Sequence, residues 1–269
     1  MNICIFAKGL PIHITGGMEI HVQRLVDGLI KRGHKITIIT TRHPQDIEKE
    51  EKGELKIFYV GDKPLRCTKR FYKESAELFG KLNNEQHFDV VHSQSTSGYG
   101  FARFCKEKTP FIATLHGTAM NEIKSVMNTR SIKGLFTALY IFFNDVILIR
   151  EDKTACERAD RIIAVSNELK EDIRKQYNIP KEKIITIPNG VEVDRFKPDI
   201  DVSDLEKKYG LQDRKIILMI GMMTGQKGHD LLIQVMPELL KENKNIKLIL
   251  AGSGPELNNL KDMASELNI

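Results

Sequence analysis

His116 follows the apolar run Phe111–Leu115 and precedes Gly117; His92 closes the run Phe88–His92 ahead of the small polar stretch Ser93–Gly98. An imidazole at the carboxyl end of a strand can hydrogen-bond a hydroxyl or phosphate, or move a proton. It can equally cap the segment that follows. Gly16-Gly17 stands just before the amphipathic stretch Met18–Arg32. Paired glycines there let a ligand approach the backbone and leave helix N–H groups open to an anion, although a flexible loop is the plainer account. Residues Gly221 to Gly228 again join an apolar run to a helical one, and they include Lys227. Glycines plus a cation at a helix N-terminus suit a diphosphate. Gly252-Ser253-Gly254-Pro255 makes a second turn of the same kind.

Several familiar chemistries are excluded. No G-x-G-x-x-G follows the first strand and no Gly-Lys-Ser/Thr is present, which disfavours a nicotinamide dehydrogenase and a P-loop. Cys4, Cys67, Cys105 and Cys156 lack zinc-ligand spacing, and a chain this long needs no disulfide staples, so a reducing, cytoplasmic setting is expected. Asp199-Ile200-Asp201 follows Pro198 and reads as a solvated helix cap rather than a metal site. With 41 Lys and Arg against 36 Asp and Glu the net charge is +5, too mild for a nucleic-acid partner. The cations Lys63, Arg66, Lys69, Arg70 and Lys73 surround Phe71 and Tyr72. Such a segment could meet anionic lipid headgroups or an anionic acceptor, or could be a solvated helix face.

The elements that position these groups alternate. Strands are expected at Asn2–Phe6, Lys35–Thr41, Leu55–Val60, Phe88–His92, Phe111–Leu115, Arg161–Val165 and Lys183–Ile187. Helices lie between them, one ended by Gly33, one opened by Ser166, and the longest over 132–158. That cadence implies right-handed crossovers and a parallel sheet covered on both faces. The greasy stretch 134–149 contains Asp145 and is too short for a membrane span, so it reads as a buried helix ahead of an interfacial one. Ile187-Pro188-Asn189-Gly190 breaks the rhythm, giving one domain over 1–190 and a second over 191–269. The second offers strands Lys215–Ile220 and Ile246–Ala251 with helices Gly228–Glu242 and Glu256–Leu267, and is expected to be incomplete.

In order and spacing, five groups of residues resemble glycosyltransferase family 4. They are Gly16-Gly17-Met18-Glu19 with Val22 and Arg32-Gly33-His34; Thr114-Leu115-His116-Gly117; Ala164-Val165-Ser166; Ile187-Pro188-Asn189-Gly190-Val191 with Arg195-Phe196-Lys197-Pro198; and Gly221, Lys227-Gly228 and Ala251-Gly252-Ser253-Gly254-Pro255. The resemblance spans essentially the whole chain. It implies an α/β fold of the glycosyltransferase B type, with two Rossmann-like parallel-sheet domains. The implied reaction is transfer of a hexosyl group, with retention, from a nucleotide-sugar to a glycolipid, lipopolysaccharide, capsule or other glycan acceptor, with no cofactor and no essential metal. The enzyme would work at the inner face of the cell membrane.

By the same resemblance His116 is the catalytic candidate, beside the donor sugar. Gly16, Gly17, Gly221, Lys227, Gly252 and Gly254 belong to the donor site; His13, Glu19, His21, Arg66 and Arg70 lie on the acceptor side; Asn189 and Gly190 form the hinge. Two departures stand out. Met222 occupies the place where the family usually has an arginine, and a thioether cannot donate to phosphate. The family's later pair of glutamates, which grips the donor, lies beyond Ile269, so this chain is expected to transfer sugar poorly or not at all. A non-catalytic binding module with a vestigial donor half, or a nucleotide-sugar epimerase, are the alternatives.

Overall fold

The computed structural model describes residues 1–121 and 147–269. They fall into two compact units, the first ending at Gly190 and the second covering Val191–Ile269.

The first unit is an eight-stranded sheet. In chain order its elements are β1 (Asn2–Ala7), α1 (Gly17–Lys31), β2 (Lys35–Thr41), β3 (Lys49–Lys52), β4 (Leu55–Val60), α2 (Lys69–Gln86), β5 (Val90–Gln94), α3 (Tyr99–Phe104), β6 (Phe111–Leu115), α4 (helical over the described residues 147–158), β7 (Arg161–Ala164), α5 (Asn167–Tyr177) and β8 (Ile184–Thr186). The strand order is β3-β4-β2-β1-β5-β6-β7-β8, parallel except for β3 against β4. The chain builds outward from β1 on one side, then returns and builds outward through β5 on the other. The β1/β5 junction is therefore the switch point, where loops leave in opposite directions and open a crevice at the carboxyl edge.

Alternation along β1 sorts the core into two layers. Cys4 and Phe6 pack with Phe79, Phe88, Phe101 and Phe111 on one face. Ile3, Ile5 and Ala7 pack with Val22 and Val26 of α1 on the other. With both faces covered, β2 reads as one buried run after Lys35 rather than alternating. Three helix boundaries follow from local chemistry. Gly33 ends α1 at φ +80°, Thr68 Oγ1 accepts the Phe71 amide at the start of α2, and Ser166 Oγ accepts that of Leu169 at the start of α5.

Two expectations need correction. The strand expected over Phe88–His92 lies over Val90–Gln94. Phe88 lies just beyond the end of α2, its amide donating to Asn83 Oδ1 at 2.8 Å and its ring stacking on Phe79. His92 is thus inside the strand instead of at its end. The second correction is β3, Lys-Glu-Glu-Lys, a strand with no apolar residue to announce it. Glu50 accepts from the Tyr59 hydroxyl at 2.6 Å, and Lys49 lies over the Phe58 ring. Of the helix expected over 132–158, the part over 147–158 is helical; the rest, with most of the greasy stretch 134–149, lies outside the described residues.

The second unit contains α6 (Ser203–Tyr209), β9 (Lys215–Ile220), α7 (His229–Glu242), β10 (Ile246–Ala251) and α8 (Leu257–Glu266). Its two strands pair in parallel from Lys215/Ile246 to Ile220/Ala251. Met223, Ile233 and Leu260 form the buried centre, with Leu248, Leu250 and Leu257 packed against it. Asp201 Oδ1 accepts the Ser203 amide in a local turn ahead of α6, whose N-cap is Val202 with no side-chain cap, so the Asp-x-Asp is not the helix cap expected of it.

Candidate functional site

The carboxyl edge at the switch point gathers polar side chains from three elements. His92 and Gln94, two residues apart, share one face of β5; Thr114 pairs with Gln94 across the ladder; His116 follows β6. His116 Nε2 lies 3.1 Å from Gln94 Oε1, Gln94 Nε2 lies 3.3 Å from His92 Nε2, and His92 Nε2 lies 2.7 Å from Thr114 Oγ1. From α1, His21 brings its ring to 4.7 Å from that of His116, edge to face. Met18, on the same helix, accepts the Ser95 hydroxyl through its sulfur at 3.8 Å.

This cluster is uncharged at neutral pH. Burial, and then the neighbouring His21, push His116 down to about 4. Burial, followed by His21 and His116, pushes His92 down to about 4. Burial lowers His21 as well. Proton positions follow from the partners. Gln94 Oε1 can only accept, so His116 donates from Nε2; Gln94 Nε2 can only donate, so His92 accepts at Nε2 and carries its proton on Nδ1. Gln94 and Thr114 are buried, and neither was singled out as a single residue from sequence. The signal was the polar pair at spacing two in a strand whose neighbours are apolar.

The glycines before α1 differ from one another. Gly16 is the extended N-cap, with no side-chain cap on the helix, and a Cβ there would meet Glu19 Oε2 at 2.5 Å. Nothing lies within 4 Å of a Cβ built on Gly17. Glu19 itself is buried, its carboxylate lying against Gly16 and Gly9. His13 is fully engaged by the backbone: Nδ1 accepts the Leu10 amide at 3.1 Å, and Nε2 lies 3.2 Å from the carbonyls of Thr41 and Arg42. It is a loop anchor with neither nitrogen left for a ligand.

In the basic segment Phe71 and Tyr72 point inward and are buried, so the aromatic half of the expected surface is absent. Arg66 is exposed, and Arg70 is exposed but bonded to Glu74 at 2.6 Å. Tyr72 instead donates to Glu151 Oε2 at 2.7 Å, a buried pair that ties α2 to α4. Burial raises the Glu151 carboxyl to about 7 despite that hydrogen bond.

In the second unit the two glycine-rich turns lie side by side. Gly221 N–H donates to Ala251 C=O, Met223 N–H to Ser253 C=O, and Glu256 N–H to Met223 C=O. A Cβ on Gly252 would strike the Gly221 carbonyl, and one on Gly254 the Met223 carbonyl. Those two glycines are accounted for by close approach of backbone to backbone. Around Gly221 a Cβ would find open space. Lys227 is exposed in a single 3₁₀ turn, and Gly228 at φ +74° caps α7. His229, the first residue of α7, is buried with neither ring nitrogen partnered among the described residues. Asn189 and Gly190 are exposed at the end of the first unit. Among the described residues no three metal-ligating side chains converge, and no helix is long and apolar enough to cross a membrane.

The sequence profile of Glycosyltransferase Family 4 matches residues 15–195, and that of Glycosyl transferases group 1 matches 201–269. The chain is 28% identical, over its whole length, to an uncharacterised glycosyltransferase of Methanocaldococcus jannaschii, covering 67% of that protein. It is 26% identical to a subunit of phosphatidylinositol N-acetylglucosaminyltransferase from Saccharomyces cerevisiae, with 92% of the chain and 52% of the relative aligned. Identity is also 26% with alpha-monoglucosyldiacylglycerol synthase of Streptococcus pneumoniae, over 95% of the chain and 56% of the relative. The chain therefore spans about half to two thirds of the curated relatives it matches. Among solved structures, sucrose-phosphate synthase from Thermosynechococcus elongatus superposes with TM-score 0.73 at 18% identity, covering 99% of this chain and 68% of that one. Anabaena HepE, solved with UDP-glucose, gives TM-score 0.70 at 15% identity, with 100% and 66% covered. These structural likenesses establish the α/β fold class of the glycosyltransferase B type. By the first of the two profile matches, which covers most of its length, the chain belongs to glycosyltransferase family 4.

Proposed function

We propose that the protein, or a longer one of which this chain is part, moves a hexosyl group from a nucleotide-sugar to a glycolipid or other glycan acceptor, with retention. The observation that carries this reading is the neutral His116–Gln94–His92 array at the carboxyl edge beside the switch point. Glycosyl transfer builds positive charge at the anomeric carbon and negative charge on the leaving diphosphate. An uncharged imidazole can hold the sugar's hydroxyls without opposing the first. Lys227 and the turn from Gly221 are the groups for the second. Relatives named for lipid-linked acceptors support the acceptor class.

Calorimetric titration with uridine, guanosine and adenosine diphosphate sugars tests the donor. Binding of one of them, and a fall in transfer of about 10²-fold or more in His116→Ala, is the expected result. Absence of binding to any sinks the reading. Exposed Met222, where a phosphate donor was expected, favours one rival, a module that binds ligand without turnover. Binding with no transfer to any acceptor selects it.

Membrane contact, if made at the cytoplasmic face through this unit, is electrostatic, because around the start of α2 Lys69, Arg70 and Lys73 face outward while Phe71 and Tyr72 point in. Arg70 and Lys73 are in part neutralised by Glu74 and Glu77. Binding to vesicles rich in anionic lipid should therefore vanish as the Debye length shrinks to about 3 Å near 1 M salt. Salt-resistant flotation contradicts it.

A further inference from the structure

We propose that Gln94 is the positioning residue for His116, fixing which imidazole nitrogen carries the proton and leaving the other as the ring's open acceptor. The inference rests on the sugar-transfer reading of His116 and adds a residue to it.

Gln94 is 1% exposed, and both ends of its amide are engaged. An amide cannot rotate freely when its two ends differ in what they can do. At one end, Thr114 Oγ1 and Gln94 Nε2 both converge on His92 Nε2, at 2.7 and 3.3 Å. Because Gln94 Nε2 can only donate, His92 Nε2 is the acceptor that the amide and the Thr114 hydroxyl share. At the other end Oε1 then faces His116 Nε2 at 3.1 Å and takes its proton. His116 is left with Nδ1 as a lone pair able to accept a hydroxyl. The direction runs through Thr114 of β6, His92 and Gln94 of β5, and His116 just after β6: Thr114 to His92, Gln94 to His92, and His116 to Gln94.

The kind of partner matters as much as its position. A carboxylate in place of the amide would orient the ring equally well but would stabilise its protonated form. A carboxamide orients without charging. His21 on α1 and His92 on β5 are the titratable groups held around the ring, and both act against its protonation or share its neutral state. The site thus has an imidazole whose acceptor nitrogen is assigned and whose charge stays at zero.

Long-range proton–nitrogen correlation spectra of the 15N-histidine-labelled chain read the tautomer directly. In the unsubstituted protein at pH 7, His116 is expected as the neutral Nε2–H form and His92 as Nδ1–H. Finding His116 as Nδ1–H overturns the proposal without any variant. In Gln94→Leu the His116 signals should move towards a mixture of tautomers; an unchanged pure Nε2–H form overturns it. In Gln94→Glu the ring should keep its tautomer but gain its second proton about 1–3 pH units higher. No rise overturns it as well. In transfer assays Gln94→Leu should lower kcat about tenfold or more with the donor KM little changed. If the spectra behave as expected while His116→Ala retains full turnover, Gln94 still sets the tautomer, and it is the catalytic reading of His116 that fails.

Discussion

The two units start from nearly the same raw material and bury it very differently. β2, Lys-Ile-Thr-Ile-Ile-Thr-Thr, and β9, Lys-Ile-Ile-Leu-Met-Ile, are both aliphatic runs behind a lysine. After Lys35 every residue of β2 is buried, whereas Ile216, Leu218 and Ile220 of β9 are 43%, 56% and 75% exposed. The difference lies in what covers them. β2 sits between β1 and β4, and helices cover both faces of that sheet; β9 has β10 on one side, and the apolar centre formed with α7 and α8 serves one face. Hydrophobic sequence makes a strand possible, but neighbours decide whether its burial stabilises anything.

The largest test of this contrast is a pair of truncations. Phe111, fully buried against Phe101, should lose about 3–5 kcal/mol on replacement by alanine. Leu218→Ala should stay within about 0.5 kcal/mol. Urea midpoints compare them, and a similar loss at Leu218 would break the contrast. Next in size is a pair within the second unit. Gly252→Ala drives a Cβ into the Gly221 carbonyl and should unfold the paired turns at a cost of about 1–3 kcal/mol, while Gly221→Ala meets open space and should be close to neutral. Thermal melts that rank the two the other way would show that the turns are not packed as described.

A further test is a pH dependence confined to the first unit. His92 and His116 gain protons at about 6.5 when unfolded and about 4 when folded, so acidification through that range favours unfolding. Glu151 has the opposite sign: it ionises at about 4.5 unfolded and about 7 folded, so stability is lost as pH rises through that range. Two histidines outweigh one glutamate below 6.5, and above it Glu151 acts alone. Stability should therefore peak near pH 6.5, and Glu151→Gln should remove the alkaline decline. Melting temperatures across pH 4–8 decide; a flat profile between 4 and 6.5 would mean that the histidines are not buried neutral.

The sequence made much of this architecture visible because glycines and strand ends punctuate it sharply. Lys35–Thr41, Leu55–Val60, Phe111–Leu115, Lys215–Ile220 and Ile246–Ala251 lie where the pattern puts them. β3 was hidden because its pairing rests on charges and on Tyr59 rather than on apolar residues. His116 could be found from its place after a strand. Gln94 was passed over, since its role depends on His116, 22 residues further on, as well as on His92, and the two-residue slip of β5 hid that it shares a face with His92. His13, placed on the acceptor side by resemblance alone, has backbone partners that the sequence does not display.

The charged strand β3 has a consequence for how these molecules meet one another. An open sheet edge is a template on which a second chain can add a strand. Here the outermost strand on that side displays Lys49, Glu50, Glu51 and Lys52, with Lys49 paired to Glu51 and Lys52 to Glu50. A chain arriving edge-on would have to strip water from four charges before gaining its first ladder hydrogen bond. That edge is a stop to lateral polymerisation, written in the least hydrophobic strand of the sheet.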